Sequence, residues 1–389
     1  MGKCKANTDR LRGYRIRIYP SEVQKQIIHK TIDTTRFVYN LALSIENYAY
    51  ELGKKFISYY SLCSIFSELQ KSDLYPWLSD IPISTIRQAL YNLNNAFKKF
   101  FNKETNYPKY HSKKTSKKSF QVRAERTYIQ NGYISISGIG YVSIKTDRIP
   151  IHQRIYSPTI TYTGYDEYWF SCCMEVPEID MSSIPQSDPI GIDVGIRNMI
   201  TTSDGEYYHF SDTSKFEKRL KRQQRRLSKD YKKYLDESIH TKTKYEDVPK
   251  SKNHYKRLFK QHKSYSKIHN KKFNDINVAT KAIVSKNPSA IVIEDLSVTE
   301  QLKDKWIRQF SPKMLFNEIH RQIVYKAEDR NIPVIKADKN FPSSQICSNC
   351  GMQHKVYRNK VFKCPYCGFR IDRDLNAAIN LKNLAYQLQ

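Results

Sequence analysis

Ile371-Asp372-Arg373-Asp374-Leu375-Asn376-Ala377-Ala378 stands a few residues behind two cysteine pairs, Cys347-Ser348-Asn349-Cys350 and Cys364-Pro365-Tyr366-Cys367. Each pair has two residues between its cysteines and a glycine after it, Gly351 and Gly368. That is the spacing of a four-thiolate zinc knuckle, and the glycines suit its left-handed turns. A zinc with four thiolates keeps no open position, so it holds a ribbon together and does no chemistry. The acidic pair falls at a helix start, because Leu375, Ala378 and Ile379 repeat at helical spacing. A metal-held knuckle is thus joined to a carboxylate, Asp372 or Asp374. Either could instead be the N-cap of that helix.

Two apolar runs upstream also carry acids. Pro189-Ile190-Gly191-Ile192-Asp193-Val194-Gly195 reads as a buried strand containing one, and Ala290-Ile291-Val292-Ile293 as a strand ending at Glu294-Asp295. Charge in a run that buries both faces is costly unless something offsets it. Three carboxylates at one sheet edge would repel one another, and Mg²⁺, which prefers oxygen ligands, would offset that. Two such ions about 4 Å apart can activate a water and stabilise the leaving oxygen of a phosphodiester. Each acid has a plainer reading: a turn for Asp193, a solvent-facing strand end for Glu294. Asp295 rivals Glu294, and strand alternation lets only one of them face the site. The order strand-Asp, strand-Glu, helix-Asp is more specific than any member of it.

The rest of this half fits an α/β domain. Met199–Thr202 and Tyr207–Phe210 read as strands around an Asp204-Gly205 turn. Residues 215–272 read as helical, with 21 Lys and Arg against 6 Asp and Glu, a net +15. Residues 312–330 read as an amphipathic helix and Pro333–Ala337 as a strand.

The first half has a different texture. Tyr14–Tyr19 alternates as a strand, Pro20 ends it, and Ser21 with Gln24 forms a capping box. A helical stripe runs from Val23 through Ile27, Ile28, Phe37, Val38, Leu41 and Ala42 to Ile45. A second helix is expected after Ile81-Pro82, capped by Ser84, with Ile86, Ala89, Leu90, Leu93, Phe97, Phe100 and Phe101 on its apolar face. From Tyr107 to Lys118 the chain is basic, aromatic and aperiodic. Alternating segments at 119–123, 133–137, 141–145, 158–164 and 167–176 predict a barrel-like β region that the strand at 14–19 joins. Pro177–Pro189 is a Pro- and Ser-rich boundary.

The 389 residues carry a formal charge of +28, interleaved with 29 Tyr and 17 Phe. Such an excess calls for a polyanion, and aromatic faces beside cations suit stacked bases. Arg219, Arg222, Arg225, Arg226, Lys113 and Lys114 are the candidate nucleic-acid contacts. No apolar run of about 18 residues would span a membrane, and no apolar signal segment follows Met1. A reducing cytosol is expected, where eight cysteines mean metal or free thiol.

Taken together, these residues resemble the TnpB family of transposon-encoded, RNA-guided DNA nucleases, relatives of the type V CRISPR effectors. The resemblance rests on Tyr14–Pro20, Arg36–Asn40, Gln88–Phe101, Gly191–Gly195, Ile291–Leu296, Phe341–Cys347 and Asp372–Ala378. It implies a multidomain α+β chain: a wedge-type β-barrel (1–20 and 104–180) and an inserted helical recognition domain (21–103). A RuvC-like nuclease of RNase H fold (186–340 and 371–389) would follow, with an inserted Cys4 zinc ribbon (341–370). It also implies that Asp193, Glu294 and Asp374 are catalytic and hold two Mg²⁺ ions, and that Cys347, Cys350, Cys364 and Cys367 hold one zinc. The implied partners are a guide RNA from the transposon end and double-stranded DNA beside a short motif, cut on both strands at one site. A monomer in the prokaryotic cytosol, nucleoid-associated, is the expected form. Three alternatives remain: a cleavage-inactive RNA-guided repressor, a compact type V CRISPR effector, and a plain zinc-ribbon DNA-binding protein.

Overall fold

A computed structural model describes residues 11–145, 149–150, 153–175, 186–195, 198–294, 315–338, 341–355 and 360–387. The chain forms two compact units, Met1–Pro177 and Glu178–Gln389.

In the first unit, strand β1 (Leu11–Tyr19) buries Ile16 and Ile18, alternate residues of one face. Helix α1 (Glu22–Glu51) begins on both halves of the expected capping box. The Ser21 hydroxyl accepts from Gln24 N at 3.4 Å, and Ser21 N donates to Gln24 Oε1 at 2.9 Å. Ile28 and Ile32 of α1 pack on the sheet. Val38, Tyr39, Ala42 and Leu43 pack instead with helices α2 (Tyr59–Leu69) and α3 (Ile83–Phe101). The sequence expectations have no counterpart to α2; it buries only Leu62 and Phe66, too few for a readable stripe. Pro82, not Ser84, takes the N-cap position of α3, with φ −56° and ψ 129°. The proline fixes the entry two residues early and leaves Ser84 inside the first turn. Val23 and Phe101, expected on buried faces, are 67% and 58% exposed at the ends of their stripes.

Strands β2 (Ser119–Gln121), β3 (Tyr128–Gln130), β4 (Tyr133–Ile136), β5 (Gly140–Ile144), β6 (Ile155–Gly164) and β7 (Glu167–Glu175) complete one antiparallel sheet. Its order is β2-β6-β7-β1-β5-β4-β3. β1 lies between β7 and β5, so the helices really are inserted between strands of one sheet. Among the described residues β2 and β3 are its ends, and no pairing closes it into a barrel.

The second unit has a five-stranded sheet of order β10-β9-β8-β11-β12. Its strands are β8 (Ile190–Asp193), β9 (Ile200–Thr202), β10 (Tyr207–Tyr208), β11 (Ile291–Glu294) and β12 (Val334–Ala337). β10, β9 and β8 run antiparallel in succession, while β8, β11 and β12 are parallel. Between β10 and β11 the chain forms the long helices α4 (Ser214–His240) and α5 (Lys252–Ser285). Helix α6 (Phe316–Glu328) precedes β12, and α7 (Arg373–Gln387) comes last. Both sheet faces are covered, which explains the continuous apolar runs. Ile291 and Ile293 of β11 pack with Ile283 of α5 and Ile319 of α6, whereas Val292 packs with Leu381 and Ala385 of α7. Residues 312–314, expected at the start of α6, lie outside the described residues. Among the described residues no helix is long and apolar enough to cross a membrane.

A candidate carboxylate centre and its cysteine knuckle

Asp193 is the last residue of β8, and Glu294 is the last residue of the neighbouring parallel strand β11. Ile293 pairs with Ile192, so the two acids sit level, one step further along. Ligands of parallel sheets bind at this carboxyl end of the strands. Asp374 arrives from the first turn of α7. What lets α7 come so close is Gly191. A Cβ there would lie 2.0 Å from the Ala378 carbonyl oxygen and 2.4 Å from Lys382 N, so only glycine allows the helix backbone onto β8. A Cβ built on Gly195 would lie 4.0 Å from both Asp193 Oδ2 and Asp374 Oδ2, so these two carboxylates flank one point.

The electrostatics of this cluster call for positive charge. Burial, and then the charges of Glu294 and Asp374, push the Asp193 carboxyl well above its usual range. Arg373 opposes this as a nearby cation, and part of Asp193 still meets solvent. Burial also pushes Glu294 up, against a hydrogen bond donated by the Ser343 hydroxyl to Oε1. Carboxylates that share a partly dry site, where two of them disfavour charge on the third, suit a divalent cation with oxygen ligands.

The two acids of the 372–374 pair have different work. Asp372 Oδ1 accepts from Asp374 N at 3.0 Å and Leu375 N at 3.2 Å, which is a helix cap. Asp374 turns to the cluster, where Asn198 Nδ2 donates to its Oδ2 at 3.2 Å and Arg373 lies 3.4 Å from Oδ1. Asp295 lies outside the described residues, so alternation does not decide between it and Glu294.

The four cysteine sulfurs all lie within 4.8 Å of one another. Cys347 and Cys367 are 3.7 Å apart, and Cys350 and Cys364 3.6 Å. A tetrahedral site with metal–sulfur bonds of about 2.3 Å has edges of about 3.8 Å. The donor set and the spacing therefore fit one metal ion. Gly351 and Gly368 take φ of 74° and 73°, the left-handed turns expected of them. Strands β13 (Val361–Lys363) and β14 (Arg370–Asp372) finish the knuckle around Phe362.

Knuckle and cluster are tied by side chains absent from the sequence-based site. Asn376 Nδ2 donates to Ile346 O at 2.7 Å, and its Oδ1 accepts from Ser348 N at 3.0 Å. Asn380 Nδ2 donates to Ser343 O at 2.8 Å and Ile346 O at 2.7 Å. Ser343, held there by its backbone, reaches Glu294 with its hydroxyl. The signal for this pair was readable: Asn376 and Asn380 are four apart on a buried helix face, where a polar residue needs partners. Asn198 and Ser343 sit in loops, which have no periodicity to mark them. The expected cations fall elsewhere: Arg219, Arg222, Arg225 and Arg226 are exposed along α4, and Lys113 and Lys114 are exposed in a loop of the first unit.

Comparison with known proteins agrees with this layout. A sequence profile described as Cas12f1-like, TNB domain matches residues 316–381, from α6 through the knuckle into α7. A second, described as a helix-turn-helix domain of the OrfB_IS605 kind, matches residues 8–55. Within that stretch the described residues form β1 and the single long helix α1. A protein of Streptomyces pristinaespiralis, named as a candidate RNA-guided DNA endonuclease, is 27% identical over 95% of this chain and 88% of its own length. InsQ of Escherichia coli K12, named as a candidate of the same activity, is 26% identical over 96% of this chain and 92% of its own. Over nearly its whole length the chain is similar to the TnpB family. The fold is also similar to that of a Cas12f1 protein solved as a complex with its guide RNA and target DNA. The two share a TM-score of 0.54 at 14% identity, over 96% of this chain and 98% of the other.

Proposed function

We propose that the chain is an RNA-guided DNA endonuclease that hydrolyses target phosphodiesters at Asp193, Glu294 and Asp374. The observation that carries this reading is the gathering of three carboxylates at one sheet end. Asp193 and Asp374 lie about the same point beside Gly195, and Glu294 ends the strand next to Asp193, near enough for its charge to act on it. Two Mg²⁺ ions, when bound, would supply an activated water and stabilise the leaving oxygen. Asp193 and Asp374 would present carboxylate oxygens to those ions. Ser343 would orient Glu294, and Asn198 would orient Asp374. Arg373, 3.4 Å from Asp374, would meet a scissile phosphate held there. One zinc would bind the four cysteines and take no part in chemistry.

The strand order β10-β9-β8-β11-β12 supports a RuvC-like domain of RNase H fold at 186–340 and 371–389, with a zinc ribbon at 341–370. The seven-stranded sheet supports a wedge-type domain at 1–20 and 104–180, whose barrel would need its β2 and β3 ends brought together. Residues 21–103 would be the helical recognition domain. The guide would be RNA from the transposon end. The target would be double-stranded DNA beside a short motif, and the chain would work as a monomer in the prokaryotic cytosol. Base pairing would choose the sequence while the protein holds backbones, as in other RNA-guided effectors.

The test is to sequence the RNA that co-purifies with the chain and to assay plasmid cleavage with it. Asp193→Ala should bind that RNA like the parent and cleave only at background. Cleavage at the parental rate by this variant would overturn the assignment.

A further inference from the structure

The loop from Tyr107 to Lys118 carries neither helix nor long strand, yet α1 pins it at several points. Asn40 Nδ2 donates to His111 O at 2.9 Å, while His111 N donates to Asn40 Oδ1 at 2.7 Å. The His111 ring stacks on Tyr39, with centroids 3.9 Å apart and planes within 6°. Seven residues along the same helix, Asn47 accepts from the Tyr107 hydroxyl at 2.6 Å and donates to the Tyr110 hydroxyl at 3.0 Å. Behind this clamp, α1, α3 and the loop enclose a cavity of about 440 Å³.

The walls of the cavity are cationic. Arg36, Lys113, Lys117 and Lys118 line it, against a single carboxylate, Asp33. Asp33 is already shared, 3.1 Å from Arg36 and 3.5 Å from Lys113. Four cations held around one space repel one another, and a bound anion offsets that. The space suits one nucleotide and is too small for a duplex. Burial pushes the His29 imidazole at its edge below the ordinary value, with Lys118 adding to that against Asp33, so His29 brings no further charge near pH 7.

We propose that this cavity binds one phosphodiester of an unpaired nucleic-acid strand through Arg36, Lys117 and Lys118. That the anion is nucleic acid rests on the function proposed above; the clamp and the excess charge are independent of it.

The experiment measures affinity of the full chain for a labelled 20-nucleotide RNA, and for DNA of the same sequence, across a salt series. Each phosphate contact on a single strand contributes about 0.7 to the slope of log K against log salt. Lys117→Gln with Lys118→Gln should flatten the slope by about 0.7 or more, at an unchanged melting temperature, and Lys117→Arg with Lys118→Arg should restore it. Flattening with RNA alone, or with DNA alone, identifies which strand the cavity holds. A slope equal to the parent's with both probes overturns the proposal, and so does a flattening that arginine does not restore. Synthetic probes keep this outcome separate from failure of the nuclease reading, which shows as absent RNA or absent cleavage.

Discussion

At the scale of single residues, the carboxylate centre depends on side chains that never meet a substrate. Ser343 touches Glu294, and Asn380 holds the backbone of Ser343. Groups that orient metal ligands typically matter by about 10–100-fold in affinity or rate. Ser343→Ala should therefore raise the Mg²⁺ concentration needed for half-maximal cleavage by about tenfold, with Ser343→Thr restoring most of it. A Mg²⁺ titration of plasmid cleavage reads this, and equal titrations for parent and Ser343→Ala would remove Ser343 from the site. Asn380→Leu takes the donor from the buried Ser343 carbonyl, at about 1–3 kcal/mol, while Ile346 O keeps its bond from Asn376. Its cost should appear in chemical denaturation, along with weaker cleavage.

Among elements, the contact between β8 and α7 is the tightest constraint. Gly191→Ala drives a methyl into helix backbone, which cannot yield as a flexible side chain would. The expected loss is about 4 kcal/mol or more, in the range reserved for core disruption, and denaturant midpoints would show it. The pairing of α4 with α5 should respond to pH. Burial works against charge on Asp230, but hydrogen bonds from Arg257 and His254 hold it below the usual carboxylate range. A depressed acid stabilises the fold above its ordinary pKa of about 3.9, and that support goes as pH falls through the lowered value. Acid titration by circular dichroism should find helix loss below about pH 4, and Asp230→Asn should cost about 1–2 kcal/mol at pH 7. These elements also show what a sequence can disclose. The strand-Asp, strand-Glu and helix-Asp order and the cysteine spacing were legible because each rests on local chemistry. The Asp372 cap could not be told from Asp374 by spacing alone; only the direction of each carboxylate separates them. α2 and β3 escaped because a short element buries too few residues to set a period. Whether the antiparallel sheet closes depends on edges far apart in the chain.

On the scale of the whole molecule, charge and metal set the behaviour. The helices over 215–272 hold a net +15 of the chain's +28. Binding of any nucleic acid should weaken steeply with salt, and replacing Arg219, Arg222, Arg225 and Arg226 by Gln should flatten that dependence. A slope unchanged in the fourfold variant would show that α4 carries no phosphates. Removing zinc should unfold the knuckle and loosen the segment that Asn376 and Asn380 grip, lowering cleavage without touching an oxygen ligand. Cys347→Ser should do the same, and a variant as active as the parent would separate the knuckle from the centre. The three acids lie at 193, 294 and 374, on pieces distant in sequence. A ribosome delivers them in that order, and α7 is the last of the three to emerge. The first unit can fold while the carboxylate centre still lacks a third of its acids. On the proposed mechanism, a nascent or prematurely terminated chain ending before Asp374 should leave uncut the DNA beside which it is made.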